Sequence, residues 1–149
     1  MNLSKYLTLQ ECIKSNTASR LGISNVPSEE HLNNLKKVAE HVFEPIREHF
    51  GVKIGISSGY RSTRLNKAVK GSSTSDHCFG KALDIDADIF GGVTNKEIFD
   101  FIKNNLEFKQ LIWEYGDDKN PAWVHVSYDK NNNTKTVLKT LKGGGYAIY

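Results

Sequence analysis

Apolar residues recur at helical spacing along the first third of the chain, and from Val52 onward they mostly alternate with polar ones. Thr8 and Glu11 form a capping-box pair, in which hydroxyl and carboxylate each satisfy a free backbone N–H, so a short helix is predicted over Leu9 to Ser15. Ser28, after Pro27, is the next N-cap. Leu32, Leu35, Val38, Ala39, Val42, Phe43 and Ile46 then follow at helical intervals, predicting one long helix to about Phe50. Pro45 removes one hydrogen bond inside it, which predicts a kink between His41 and Pro45, and Gly51 suits a left-handed stop.

Val52, Ile54 and Ile56 alternate with Lys53 and Gly55, the period of a strand, and the segment runs out in Ser57-Ser58-Gly59-Tyr60-Arg61. Residues 62–75, rich in Ser, Thr, Gly and Lys, read as a loop. Gly80 to Asp88 alternates again, with Ala82, Asp84 and Asp86 on one side and Leu83 and Ile85 on the other. Thr94 with Glu97 is a second capping box, opening a helix that buries Ile98, Phe99 and Ile102. Phe108 to Tyr115 and Ala122 to Tyr128 read as strands joined by the turn-like segment from Gly116 to Pro121, an antiparallel hairpin. A final strand is predicted near Thr134 to Leu141, before a Gly143-Gly144-Gly145 tail. Helices first and hairpin strands afterwards predict an α+β fold with a mainly antiparallel sheet.

Composition narrows the field. The chain has 149 residues, the usual size of one domain, so a single unit over residues 1–149 is expected. No apolar run approaches the roughly 18 residues of a membrane-spanning helix. A net charge of +3 without a basic block argues against a dedicated nucleic-acid binder. Cys12 and Cys78 form neither a CxxC nor a disulfide framework, which suits synthesis in a reducing compartment. Met1 to Ile13 lacks a basic n-region followed by an apolar stretch, so no Sec signal is read there.

Chemistry is concentrated around two segments. In the first, His77 in a loop is followed by Asp84 on a strand, and both can point into one cleft. In the second, alternation puts Trp123, His125 and Ser127 on one strand face. His77, Asp84 and His125 together make a ligand set suited to a catalytic Zn²⁺, which takes three protein groups and keeps a fourth position open. Arg61, between a strand and a loop, carries a guanidinium fork suited to a carboxylate or an oxyanion at a cleft mouth; a surface ion pair is the alternative. His31, His41 and His49 form no HExxH and fit polar helix positions. Cys78 reads as a small packed residue and not as a fourth ligand; Asp86 and Asp88 read as solvated strand-end acids, with partnering a ligand histidine as the alternative for Asp86.

The string Ser75-x-His77-x-x-Gly80-x-Ala82-x-Asp84 resembles the SxHxxGxAxD signature of the zinc D-Ala-D-Ala carboxypeptidase family, peptidase family M15. Thr8-Leu9-Gln10-Glu11, residues 17–23, Ser58-Gly59-Tyr60-Arg61-Ser62 and Trp123-Val124-His125-Val126-Ser127 resemble its compact branch as well. That family shares its fold with the Hedgehog signalling domain. It includes D-Ala-D-Ala carboxypeptidases, dipeptidases and phage endolysins that cut L-Ala-D-Glu bonds. The resemblance implies that His77, Asp84 and His125 bind Zn²⁺, that Arg61 lines the substrate site and that Ser75 assists Arg61 by hydrogen bonding. Many members carry an acid three residues before the last histidine, and here that position is Ala122. A hydrolase needs a carboxylate to carry a proton from water to the leaving amine, and Glu114, on the neighbouring strand of the hairpin, is the expected replacement. Asp117 and Asp118 compete for that role, though such residues usually serve the turn itself.

The function expected is a zinc metallopeptidase acting on peptidoglycan stem peptides, a monomer that binds neither nucleic acid nor membrane. It is expected to be made in the cytoplasm and, as a phage or prophage lysin, to reach the cell wall through a separate membrane lesion; a bacterial housekeeping enzyme is the other origin left open. The alternative is a non-catalytic Hedgehog-like zinc domain that only binds cell wall or protein, from which a retained base separates the enzyme.

Overall fold

A computed structural model describes residues 1–149. The N-terminal half is helical: α1 (Leu9–Ile13), α2 (Asn16–Leu21), α3 (Glu29–Val38) and α4 (Glu44–Phe50). Strand β1 (Gly55–Ser58) follows, then α5 (Thr63–Ala68), a 3₁₀ turn (Asp76–Phe79) and β2 (Ala82–Asp86). A 3₁₀ turn (Ala87–Ile89), α6 (Asn95–Asn105), β3 (Gln110–Glu114), β4 (Trp123–Ser127), β5 (Thr136–Thr140) and β6 (Tyr146–Ile148) complete the chain. The fold is α+β, as the order of elements predicts. None of its helices is long and apolar enough to cross a membrane.

Both capping boxes form as expected, at Thr8/Glu11 and Thr94/Glu97. Where a kink is expected, a π-helical turn at Ala39–Phe43 joins α3 to α4 instead. Pro45 has no N–H to give and its ring crowds the carbonyl four residues back, and the wider turn accommodates both defects without breaking the helix.

The six strands form one sheet in the order β1-β2-β4-β3-β5-β6. All neighbours are antiparallel except β3 and β5, which run parallel. β1 begins at Gly55, later than the apolar alternation suggests, and β6 rises from the glycine-rich tail to pair with β5. Two helices are also new. α2 is held by the Ser15 cap and a left-handed Gly22, and α5, inside the expected loop, by the Ser62 cap and buried Leu65.

One sheet face carries the core. Leu83, Ile85, Leu111, Trp113, Val124 and Val126 pack with Leu35, Val38, Phe43 and Ile46 from the long helix and with Ile98, Phe99 and Ile102 from α6. The other face is the one that matters for chemistry.

Candidate metal centre and cleft

Strand register builds the site. Asp84 on β2 lies directly opposite His125 on β4, which in turn lies opposite Ile112 on β3. Glu114 lies opposite Trp123, one step along the same face from His125. His77 arrives from the 3₁₀ turn, which is capped by the Ser75 hydroxyl accepting from the His77 N–H at 3.2 Å. Gly80 ends that turn in the left-handed region at φ +71°, and a Cβ there would strike the His31 carbonyl, so only glycine returns the chain from His77 into β2.

One ligand atom each from His77, Asp84 and His125 lies within 4.8 Å of the others. His77 is 1% exposed and His125 8%. His77 Nδ1 lies 2.6 Å from the Gly59 carbonyl, which can only accept, so that nitrogen carries the proton. In the neutral ring Nε2 is then a lone pair, aimed at the other two groups. It lies 3.2 Å from Asp84 Oδ1, yet it is buried with no aligned hydrogen-bond partner. His125 Nδ1 sits 3.1 Å from the same oxygen. A buried lone pair against a carboxylate oxygen is costly unless a cation lies between them, so the donor set fits a divalent metal. Burial alone would raise the Asp84 carboxyl, but without a metal the protonated forms of His77 and His125 hold it well below the usual carboxylate range.

The three groups open on a cleft of about 590 Å³ that is also bordered by Arg61, Ser75 and Glu114. Glu114 is 6% exposed, and burial pushes its carboxyl up to about 7, with His125 opposing and Asp84 reinforcing the rise. A carboxyl in that range both takes and gives protons near neutrality. The competing acids lie elsewhere. Asp117 accepts from the N–H groups of Lys119 and Asn120 in the turn, Asp118 pairs with Lys139 at the surface, and neither borders this cleft.

Arg61 forms no ion pair, and its Nε is buried without a partner. The Arg61 backbone N–H donates to the His77 carbonyl at 3.1 Å, so the loop that carries Arg61 and the turn that carries His77 are bound in both directions. Asn25 staples the same loop: its amide donates to the carbonyls of Ile13 and Tyr60 and its oxygen accepts from the Ser62 N–H. Nothing in local sequence pointed to Asn25, because its partners are far away along the chain. A second depression of about 540 Å³, between α1 and β1, lies on the far side of Arg61 and is lined by no imidazole, so the chemistry belongs to the first.

One reading is corrected: Ser75 makes no hydrogen bond to Arg61, and its oxygen caps the turn that carries His77. Asp86 accepts from Asn95 and from the Asp88 N–H at the end of its strand, and the group that orients His77 is the Gly59 carbonyl. Cys78 stays outside the cluster, as expected of a packed thiol. His41 and His49 stack on Tyr128 and Phe101, and His31 approaches Tyr60.

No curated protein matches the chain. A family model described as Peptidase M15 matches residues 5–127, a span that contains Arg61, His77, Asp84, Glu114 and His125, and the chain therefore belongs to the peptidase M15 family.

Proposed function

We propose that the chain is a zinc-dependent peptidase that hydrolyses a peptide bond in the stem peptides of bacterial peptidoglycan, of the D-Ala-D-Ala carboxypeptidase or L-Ala-D-Glu endopeptidase type, and that it serves as a compact phage or prophage lysin. The observation that carries this reading is the convergence of His77, Asp84 and His125 on one cleft with a buried Glu114 beside them. His77, Asp84 and His125 would hold the zinc, which when bound would supply the Lewis acidity to polarise a carbonyl and lower the pKa of water. Glu114 takes a proton from the attacking water and delivers it to the leaving amine, so that one water adds across the C–N bond to leave a carboxylate and an amine. Arg61, unpaired at the cleft wall, donates to a substrate carboxylate or to the charge developing on the scissile carbonyl oxygen. Ser75, with its oxygen engaged by the His77 N–H, keeps its own O–H free to donate into the cleft. A purely binding role would have no use for a buried carboxyl poised near neutrality.

The test is digestion of purified peptidoglycan, with the new termini identified by mass spectrometry. Free D-Ala marks the carboxypeptidase, and a new L-Ala carboxylate with a new D-Glu amine marks the endopeptidase. Elemental analysis should find one zinc per chain in wild type and little in Asp84→Ala, with turnover lost in parallel. Wild-type zinc content in all of His77→Ala, Asp84→Ala and His125→Ala, or neither product from metal-loaded protein, would refute the reading.

A further inference from the structure

The cleft lining combines two chemistries. Arg61 and Lys70 border it without acid partners, while Lys109 is held by Asp76 at 2.9 Å. The same cleft is bordered by three aromatic rings, Tyr115, Trp123 and Tyr146. The centroids of Tyr115 and Trp123 lie 5.3 Å apart at 48°. Rings of this size are usually hidden, yet Tyr115 is 56% exposed and Tyr146 54%.

Their exposure is built into the backbone. Tyr115 adopts φ +53°, a left-handed conformation that bulky residues rarely take and that Gly or Asn would hold with less strain. Its N–H donates to Thr140 Oγ1 at 2.7 Å, and Thr140 is the cross-strand partner of Tyr146. One threonine thus fixes the strand positions of two of the three rings, and Tyr146 comes from the C-terminal strand beyond the family match at residues 5–127.

We propose that Tyr115, Trp123 and Tyr146 form a platform that stacks on the pyranose ring to which the stem peptide is attached, and that the bond cut is the one between L-Ala and D-Glu. This rests on the peptidoglycan reading above. Stem peptides contain no aromatic side chain, so the ring in the substrate is that of the sugar. A pyranose offers an apolar C–H face to aromatic rings and hydroxyls to the phenol groups at its edge. The lactyl ether and L-Ala stand between that sugar and the L-Ala-D-Glu bond, about two extended units of 3.3–3.6 Å each; that matches the two-residue step along β4 from Trp123 to His125, so a sugar on the platform leaves this bond beside the metal ligands. The α-carboxylate of D-Glu then faces Arg61 and Lys70. The D-Ala-D-Ala bond is several residues further from the sugar and would gain nothing from the rings.

The experiment compares kcat/KM of the zinc-loaded full chain on a muramyl peptide and on the same peptide carrying an acetyl group in place of the sugar. Wild type should prefer the muramyl peptide by about tenfold, mainly through KM. Tyr146→Ala and Tyr115→Asn, the latter chosen because Asn tolerates the left-handed conformation, should bring that ratio toward one, and Tyr146→Phe should lower it less. Equal values on the two substrates, or a ratio that the variants leave intact, would overturn the platform. If neither peptide is cut, the peptidase reading fails separately, and a fluorescence titration with the peptide-free disaccharide decides the platform. Trp113 is buried in the core, so the signal reports Trp123. A saturable change lost in Tyr146→Ala supports the platform, and no change in wild type overturns it.

Discussion

The two faces of the sheet are made from the same strands, and they obey opposite rules. On one, Leu83, Trp113 and Val124 sit in a closed apolar core. On the other, Asp84, Glu114 and His125, each one residue further along, face the unpartnered Nε2 of His77 and include a carboxyl pushed up to about 7. Because successive side chains of a strand point to opposite faces, stability and reactivity can occupy adjacent residues without sharing contacts. The close-packed face holds the spacing of the reactive one, which could not hold itself: like lone pairs and buried carboxyls repel and desolvate.

That division can be broken from either side. The largest effect is expected at Glu114→Gln, which on the proposed reading removes a proton carrier and no metal ligand: turnover should fall by about 10²–10⁴-fold with zinc content little changed. A matching loss of zinc would mean that Glu114 belongs to the ligand set. Its counterpart on the other face is Trp113→Ala, expected to destabilise by about 3–5 kcal/mol in urea unfolding, while the folded fraction keeps its metal. Loss of zinc from protein that circular dichroism reports as folded would show that the faces are coupled more tightly than described.

A smaller effect sharpens the comparison through pH. In metal-free protein the Glu114 carboxyl has a native pKa of about 7, above its unfolded value, so the native state binds the extra proton. Its contribution is fully present below the unfolded carboxylate range and is lost as pH rises through about 7. Glu114→Gln cannot ionise and should therefore gain on wild type in urea midpoint between pH 5 and pH 8. An unchanged difference across that interval would mean that burial does not govern this group.

Much of this was legible before the fold was known, and the exceptions have physical reasons. Thr8/Glu11 and Thr94/Glu97 announce helices because a capping box is a local contact. Alternation around Asp84 and His125 likewise fixes which side chains share a face. α2 and α5 are too short for an apolar stripe to show, and each depends on a single cap and on burial of Ala18 or Leu65. β6, only three residues long and directly after a triple glycine, exists only because β5 offers an edge. The cavity and the way Glu114 borders it follow from strand register, which pattern alone suggests but only pairing delivers. Gly59 and Asn25 were invisible because their partners are distant in sequence.

Gly59 carries a consequence for the whole domain. A Cβ at that position would sit 2.7 Å from the Cys12 carbonyl oxygen, so α1 and the Arg61 loop touch backbone to backbone. The Tyr60 N–H donates to that same oxygen, and the Gly59 carbonyl in turn accepts from the His77 Nδ1–H. These contacts run unbroken from the first helix to the imidazole of His77. Freed of the Gly59 carbonyl, the imidazole could move its proton to the nitrogen that should face the metal. The opening turn of the chain therefore acts as a tether on the tautomer of His77, and trimming or crowding the N-terminus should appear first as weaker metal retention, before any loss of global stability.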